Sequence, residues 1–230
     1  MSNVAEIRVM ASAAFKEAYV ELVPEFERTT GHKVVTTWTP TVEMMRRLKG
    51  GETVDLVIIA VDSLEALIKL GLIARGSRID IAKSVIGVAV RAGTPKPDIG
   101  TTEAFKRTLL AAKSIAYSTG PSGVYIQSLL KRLGIADELQ PKIKQVQGTP
   151  VGEVVARGEA EIGFQQVSEI LPVAGIELLG PLPADIQRTT IFSTGLHVGA
   201  QQPDAAKTLV KFFTAPAAVP LIREKGMEPG

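Results

Sequence analysis

The chain has 230 residues, of which 45% are hydrophobic and 22% charged, and its 26 basic and 24 acidic residues leave a net charge of +2. This composition is typical of a globular protein large enough for one domain or two lobes, and the balanced charge argues against a nucleic-acid-binding surface. The absence of cysteine excludes disulfides and thiolate chemistry, and two isolated histidines, His32 and His197, do not favour a metal site, so no metal or cofactor is predicted.

Strand-like and helix-like segments alternate along the chain, which is typical of an α/β fold with mostly parallel strands. In chain order we predict strand 7–11, helix 13–29, strand 33–38, helix 41–49, strand 55–60, helix 63–69, strand 84–90, helix 102–110, strand 113–117, helix 122–133, strand 143–147, helix 149–157, strand 160–164, strand 190–199 and helix 204–213. Residues 92–100 and 175–183 are rich in glycine and proline and are assigned neither helix nor strand.

Membrane and export signals are weak in this sequence. The longest apolar run covers residues 56–61. A bilayer-spanning helix needs about 20 apolar residues, so no membrane insertion is predicted. The predicted first strand follows the N-terminus at once, without a basic start and an apolar stretch, so no signal peptide is expected in this chain.

Two predicted strands, 84–90 and 190–199, bracket a block of about 100 residues, the size of a small domain. The last helix has no sheet of its own to cover and must therefore pack on the first block. We predict a discontinuous lobe (1–83 and 194–230), an inserted lobe (84–193), a ligand cleft between them and a hinge formed by the two strands.

Four strand-to-helix junctions, at residues 11–14, 38–41, 118–123 and 147–151, carry hydroxyls or amides and no charge. In doubly wound sheets, ligands bind at the carboxyl ends of the strands. Thr39 and Thr149 each precede a proline, a pattern that predicts a capping hydroxyl and a helix start. Hydroxyls and free helix amides together form a neutral nest for an oxyanion, although a serine or threonine before a helix can equally serve only as its cap.

Charged side chains near these junctions are interpreted as solvated helix faces. This applies to basic pairs such as Arg46–Arg47 and to the acids Glu43, Glu153 and Glu169. No spacing pairs two of the acids for acid–base chemistry, so no catalytic residue is predicted.

Several segments resemble the periplasmic molybdate-binding proteins of ABC transporters. Residues 7–15 (IRVMASAAF) resemble the first strand and binding serine of that family, and residues 51–58 (GETVDLVI), 70–73 (LGLI) and 158–164 (GEAEIGF) are similar to later segments in the right order. The resemblance covers nearly the whole chain. It implies an α/β fold of the type II periplasmic binding protein class, in which two lobes, each with a mostly parallel sheet flanked by helices, are joined by two hinge strands.

The resemblance also implies a binding site. Ser12 and Thr39 would bind the anion from one lobe, and backbone N–H groups near Ser122–Gly123 and Pro150–Val151 would bind it from the other. Gln165–Gln166 stand where the family has a tyrosine, so the pocket suits a carboxylate as well as a metal oxyanion, although both can also be ordinary surface glutamines. The junctions and the resemblance together give these predicted ligand-binding residues: Ser12, Thr39, Thr41, Thr119, Ser122, Gly123, Thr149, Pro150, Val151, Gln165 and Gln166.

Three functions are compatible with these observations. The first is a monomeric solute-binding protein that closes over a small oxyanion and delivers it to an ABC-transporter complex in the membrane. The second is an enzyme similar to aconitate isomerase, a relative of the family that moves a double bond in a tricarboxylate. The third is a ligand-sensing effector module, which ranks last because no helix-turn-helix segment precedes residue 6. The resemblance implies a periplasmic location, and the missing leader leaves a cytoplasmic one open.

Overall fold

The computed structural model of the protein describes residues 4–230, which fold into two units. Unit 1 contains residues 4–84 and 190–230, and unit 2 contains residues 85–189. The strands are β1 (Glu6–Ala11), β2 (Lys33–Trp38), β3 (Leu56–Ala60), β4 (Ile79–Arg91), β5 (Ile115–Ser118), β6 (Ile143–Val146), β7 (Ile162–Gln166), β8 (Ile176–Pro181), β9 (Thr189–Leu196) and β10 (Glu228–Pro229). The α-helices are α1 (Lys16–Thr30), α2 (Thr41–Lys49), α3 (Val61–Lys69), α4 (Thr102–Ala111), α5 (Pro121–Arg132), α6 (Ala136–Leu139), α7 (Val151–Ala156), α8 (Val167–Ile170), α9 (Pro203–Phe213) and α10 (Val219–Glu224).

The sheet of unit 1 has three parallel strands in the order β2-β1-β3, followed by β9, which runs antiparallel to β3. The first part of β4 lies next to β9, and β10 pairs with it in antiparallel fashion. All five residues of β3 are buried, as expected for a strand covered on both faces.

The core of unit 1 forms where α1 and α9 pack on the sheet. Phe15, Tyr19, Leu22 and Phe26 recur at helical spacing and are buried together with Phe213 of α9. The Phe15 and Phe213 rings meet edge to face, with 5.5 Å between their centroids. The last long helix of the chain therefore completes the core that the first helix begins.

A buried carboxylate links three segments of unit 1. Asp55, which is 2% exposed, accepts hydrogen bonds from the backbone N–H groups of Arg8 in β1 and of Gln201 and Gln202 before α9, each at 2.7 Å. These three contacts fix the start of α9 against the sheet.

The sheet of unit 2 has the order β8-β4-β7-β5-β6, in which β7, β5 and β6 are parallel and β4 is antiparallel to β7 and β8. Phe105 of α4 and Phe164 of β7 form an edge-to-face pair in its core, with their centroids 5.9 Å apart. The predicted α/β class with parallel central strands is confirmed in both units.

The structure differs from the predicted elements mainly in β4 and β8. β4 starts five residues earlier than predicted. Its first residues were not recognised as a strand because Asp80 and Lys83 interrupt the apolar pattern there. β8 occupies most of the glycine- and proline-rich segment that was assigned no strand. Gly180, with φ of 134°, lies at a β-bulge in the pairing with β4, so the glycine marks an irregularity within a strand.

Within residues 4–230, no helix by itself has the length and apolar composition to cross a membrane, while the bent pair Pro203–Phe213 and Pro216–Glu224 reaches both only when taken together.

Candidate functional site

The parallel strands of unit 1 end side by side. Ala11 at the end of β1 is in register with Trp38 of β2 and Ile58 of β3. Ser12 donates its backbone N–H to Ile58 at 2.9 Å, and Thr39 donates its own to Ala11 at 3.0 Å. These bonds place Ser12 and Thr39 at adjacent strand ends, and Thr41 begins the helix that follows Thr39. We call these three residues the unit 1 edge.

The Ser12 side chain is buried without a hydrogen-bond partner. Ser12 is 7% exposed, and within residues 4–230 its hydroxyl contacts neither a donor nor an acceptor. A 3₁₀ turn, Ala13–Phe15, follows it, and its hydroxyl makes no capping bond there. Buried hydroxyls are nearly always hydrogen-bonded, so an orphaned one indicates a position that a ligand or water satisfies.

Thr39 does not cap α2, so the predicted capping role is wrong. Pro40 is the N-cap and Thr41 the first helical residue, because the Pro40 carbonyl accepts the first helical bond, from Met44 at 2.9 Å. The Thr39 hydroxyl, which is buried, instead accepts a hydrogen bond of 3.3 Å from Nη1 of Arg47. Because a guanidinium has only donors, the Thr39 proton is left to donate to another acceptor.

Arg47 contacts the unit 1 edge through Thr39, although its position predicted only a solvated helix face. Its side chain is 28% exposed and forms a two-pronged pair with Glu52, at 2.6 and 2.5 Å. The Arg47 hydrogen bonds hold the pKa of the Glu52 carboxyl below its usual range. Arg46, 72% exposed and paired with Glu43, does fit the solvated interpretation.

Unit 2 also has three parallel strands whose carboxyl ends meet at one edge of the sheet. Ser118 of β5 is in register with Val146 of β6, and Tyr117 with Phe164 of β7. The backbone N–H of Thr119 donates to the Val146 carbonyl at 3.2 Å. The remaining predicted ligand-binding residues lie at the ends of these strands or directly after them. We call them the unit 2 edge: Thr119, Ser122, Gly123, Thr149, Pro150, Val151, Gln165 and Gln166.

The turn from β5 into α5 is unusually close. Gly120 is the N-cap of α5, and its N–H donates to the Ser118 hydroxyl at 3.2 Å, which lies 3.4 Å from the Ser122 hydroxyl. A Cβ on Gly123 would lie 1.6 Å from the Ser118 carbonyl oxygen, so only glycine permits this approach. Ser122 is 1% exposed, and the amides of this first turn have no carbonyl four residues back within the helix.

Gln165, near the end of β7, contacts both the start of α7 and the helix α8 that follows β7. Its Oε1 accepts the backbone N–H of Val151 at 2.8 Å, and its Nε2 donates to Oε1 of Glu169 at 2.9 Å. The Val151 amide is therefore already satisfied within unit 2. The predicted capping role of Thr149 is also wrong, because the N-cap of α7 is Pro150, one residue after Thr149.

Gln165 and Gln166 are 5% and 1% exposed, so they are not ordinary surface glutamines. Next to them, Ser168 is 1% exposed, and its hydroxyl has no partner among the described residues.

Glu169 contradicts its interpretation as a solvated acid. It is partly buried, and burial raises its pKa from the ordinary 4.5 to about 7, although hydrogen bonds from Gln165 and from the Gln166 backbone oppose the shift. Glu43 and Glu153, in contrast, form surface ion pairs with Arg46 and Arg157. One sequence pattern could have indicated the position of Glu169. It stands three residues after Gln166 at a strand end, and a carboxyl at this spacing can fold back to accept a hydrogen bond from the backbone there.

The two edges have distinct chemistry. The unit 1 edge offers hydroxyl donors backed by a guanidinium, and the unit 2 edge offers helix amides, carboxamides and a carboxyl that titrates near neutrality. In the described part of the chain, no group of three or more histidine or acidic residues is arranged to hold a metal ion.

Comparison with known proteins agrees with these observations. The family model described as "Bacterial extracellular solute-binding protein" matches residues 7–228. An aconitate isomerase from Pseudomonas sp is 36% identical over 98% of this chain and 88% of its own length. The molybdate-binding protein ModA of Azotobacter vinelandii is 27% identical over 98% of this chain and 90% of its own.

Among solved structures, the periplasmic molybdate-binding protein of Azotobacter vinelandii has a TM-score of 0.79 at 22% identity, covering 96% of this chain and 98% of that chain. This likeness confirms the predicted periplasmic-binding fold. Both resemblances seen in the sequence, to molybdate-binding proteins and to aconitate isomerase, are confirmed as well.

Proposed function

Because the chain belongs to the family of bacterial extracellular solute-binding proteins, we propose that it binds a small oxyanion, with carboxylates as the favoured class. In this proposal the two units are lobes hinged at β4 and β9, and the unit 1 and unit 2 edges hold opposite sides of one ligand. Binding both edges stabilises the closed state, which an ABC-type membrane complex would recognise for uptake. The protein acts as a monomer and needs no cofactor.

The observation that carries this proposal is the orphaned hydroxyl of Ser12, at a strand end adjacent to that of Thr39, whose hydroxyl is oriented by Arg47. A buried donor without a partner costs about 1–3 kcal/mol, and an anion that accepts its proton removes this cost. Thr39 can donate to the same anion, because Arg47 already occupies the acceptor side of its hydroxyl.

Two features favour a carboxylate over a tetrahedral metal oxyanion. The Val151 amide, which the resemblance assigns to anion binding, is occupied by Gln165. The unit 2 edge also brings the Glu169 carboxyl close to the donors, which disfavours a compact dianion unless that carboxyl is protonated. An organic carboxylate can accept hydrogen bonds from the hydroxyls and carboxamides while its negative charge stays at a distance from Glu169.

A ligand titration tests the proposal. Molybdate, tungstate, sulfate, phosphate, citrate and cis-aconitate would be added separately while the melting temperature and the fluorescence of Trp38, next to Thr39, are followed. A ligand at 100 times its Kd adds about 2.7 kcal/mol of stability, which raises the melting temperature by several degrees. We expect the largest rise with the tricarboxylates, and no rise with any of the six anions would contradict oxyanion binding.

A second candidate function is isomerisation of a tricarboxylate. The observation that favours it is Glu169, a carboxyl at the unit 2 edge that changes protonation near neutral pH, as a proton-transferring enzyme requires. The aconitate isomerase relative supports the same candidate. Incubation with cis-aconitate, followed by proton NMR, tests it: appearance of the trans isomer supports an enzyme, and bound but unchanged substrate supports a binding protein.

A further inference from the structure

We propose that Glu169 is the catalytic acid–base of this site and that Gln165 is its positioning residue. The inference rests on the proposed binding of a tricarboxylate and on the second candidate function. It names the group that sequence analysis could not identify.

Hydrogen bonds hold the Glu169 carboxyl at the carboxyl end of β7. Its Oε1 accepts from Nε2 of Gln165 at 2.9 Å, and the backbone N–H of Gln166 also donates to the carboxyl. The side chain therefore folds back onto the strand end, among the buried residues Gln165, Gln166 and Ser168. This is the edge at which parallel strands of an α/β sheet present their ligand-binding groups.

Gln165 has only one orientation that satisfies both of its neighbours. The backbone N–H of Val151 needs an acceptor, which places Oε1 of Gln165 there and turns the amide nitrogen toward Glu169. A carboxylate and a carboxylic acid can both accept that bond, the latter through its carbonyl oxygen. Glu169 can therefore gain and lose a proton without losing its position.

Within residues 4–230, no charged side chain contributes to the pKa shift of Glu169, whose causes are burial and the hydrogen bonds from Gln165 and Gln166. β7, which packs against α8, has no charged residue. On the neighbouring α7, Glu153 is exposed and pairs at 3.6 Å with Arg157, which directly follows the helix. Desolvation is thus the main cause that brings the pKa to about 7. Both protonation states are present at neutral pH, which is the condition for efficient general acid–base catalysis.

The reaction balances with this one group. The Glu169 carboxylate removes a proton from the methylene carbon next to the double bond of the tricarboxylate. The C–H electron pair forms the new carbon–carbon double bond, and the old double-bond pair takes a proton from Glu169 at the far carbon. The proton count and the oxidation state do not change, so no cofactor or co-reactant is needed.

The competing explanation is structural. Glu169 is the third residue after the N-cap Gln166. In the competing explanation its carboxyl caps α8 and has no other role. A mere cap contributes to stability and leaves proton transfer unaffected.

The test compares the wild-type protein with Glu169→Gln and with the control Glu153→Gln, which changes an exposed glutamate on the neighbouring α7. Glu169→Gln keeps an acceptor for Gln165, so we expect citrate affinity within about threefold of wild type and cis-aconitate turnover lower by about 10²- to 10⁴-fold. Glu153→Gln should leave both unchanged. A third variant, Gln165→Leu, removes a hydrogen bond that stabilises the ionised carboxyl and should move the acidic limb of the kcat/KM profile to higher pH.

The outcomes separate the two proposals. Turnover retained in Glu169→Gln overturns the assignment of Glu169, and so does a wild-type protein that binds citrate or cis-aconitate without turnover. In both cases the proposed binding function stands. If the wild-type protein binds neither tricarboxylate, both the proposed carboxylate binding and the assignment of Glu169 are wrong.

Discussion

At the unit 1 edge, the Ser12 side chain is buried and has no hydrogen-bond partner among residues 4–230. The backbone of Ser12 is fixed by Ile58, while its hydroxyl is orphaned. This combination separates a binding role from a structural one, since a hydroxyl that only supports the fold would be satisfied by the fold.

Ser12→Ala should therefore weaken ligand binding without weakening the protein. We expect a loss of about 1–3 kcal/mol in the binding free energy of the best anion, and an unfolding free energy equal to or above that of wild type. Isothermal titration calorimetry and urea unfolding measure the two quantities. Thr208→Ala, which changes an exposed hydroxyl on α9, is the control for both. Unchanged affinity in Ser12→Ala would refute a binding role.

In the proposed binding mode, Arg47 orients the Thr39 hydroxyl that would contact the ligand. Arg47→Met leaves the Thr39 hydroxyl without its donor, so the hydroxyl no longer has a fixed orientation, and we expect binding weaker by about 1 kcal/mol, or roughly fivefold. Arg46→Met is the matched control, because it breaks an exposed pair one residue away. Equal affinities of the two variants, measured by calorimetry, would contradict a positioning role for Arg47.

At the scale of elements, single residues decide how helices meet the sheets. Asp55 joins β1 to the start of α9 through three backbone N–H groups, and Gly123 allows α5 to begin directly against β5. In both contacts at least one partner is a backbone group, so each contact depends on the position of the main chain.

Asp55→Asn should destabilise unit 1 by about 2–4 kcal/mol, because the new amide turns an NH₂ group toward N–H donors that need an acceptor. The shift of the urea midpoint gives this value. Asp204→Asn, which alters an exposed residue at the start of the same α9, should change stability by less than about 1 kcal/mol. Similar effects of the two substitutions would show that the Asp55 contacts contribute little.

For the whole molecule, Glu169 should leave a signature in the dependence of stability on pH. Its pKa is raised in the folded state, so its contribution to stability is fully present below pH 4.5 and is lost as pH rises through about 7. Relative to Glu169→Gln, wild type should be less stable at pH 8 than at pH 5. Urea unfolding of both proteins at these two pH values measures the change, and a difference independent of pH would contradict a raised pKa.

The order of elements and the positions of the strand ends were predictable because they depend on local patterns. The alternation of strand-like and helix-like segments predicted the α/β fold. Ser12, Thr39 and Gln165 were selected because they are polar residues at the predicted strand ends. The longer β4 and the extra β8 were missed, because Asp80, Lys83 and Gly180 break the patterns that mark strands.

The roles of the side chains within each edge were not predictable in the same way. Arg47 reaches Thr39, and Glu169 reaches Gln165, through contacts that exist only once helices pack on strands. The raised pKa of Glu169 depends on burial, which its polar sequence neighbours do not reveal. Capping was wrongly predicted for Thr39 and Thr149 because each following proline is itself the N-cap, so each threonine lies one residue before the capping position.

The engagement of the Val151 amide by Gln165 has an evolutionary consequence. A main-chain donor that is masked by a side chain can be unmasked by one codon change, without any rearrangement of the scaffold. Relatives with a short residue at this position would expose the amide, and they should divide from this protein in the anions they select. Sorting homologues by the residue that aligns with position 165 should therefore separate carriers of inorganic oxyanions from proteins that handle organic acids.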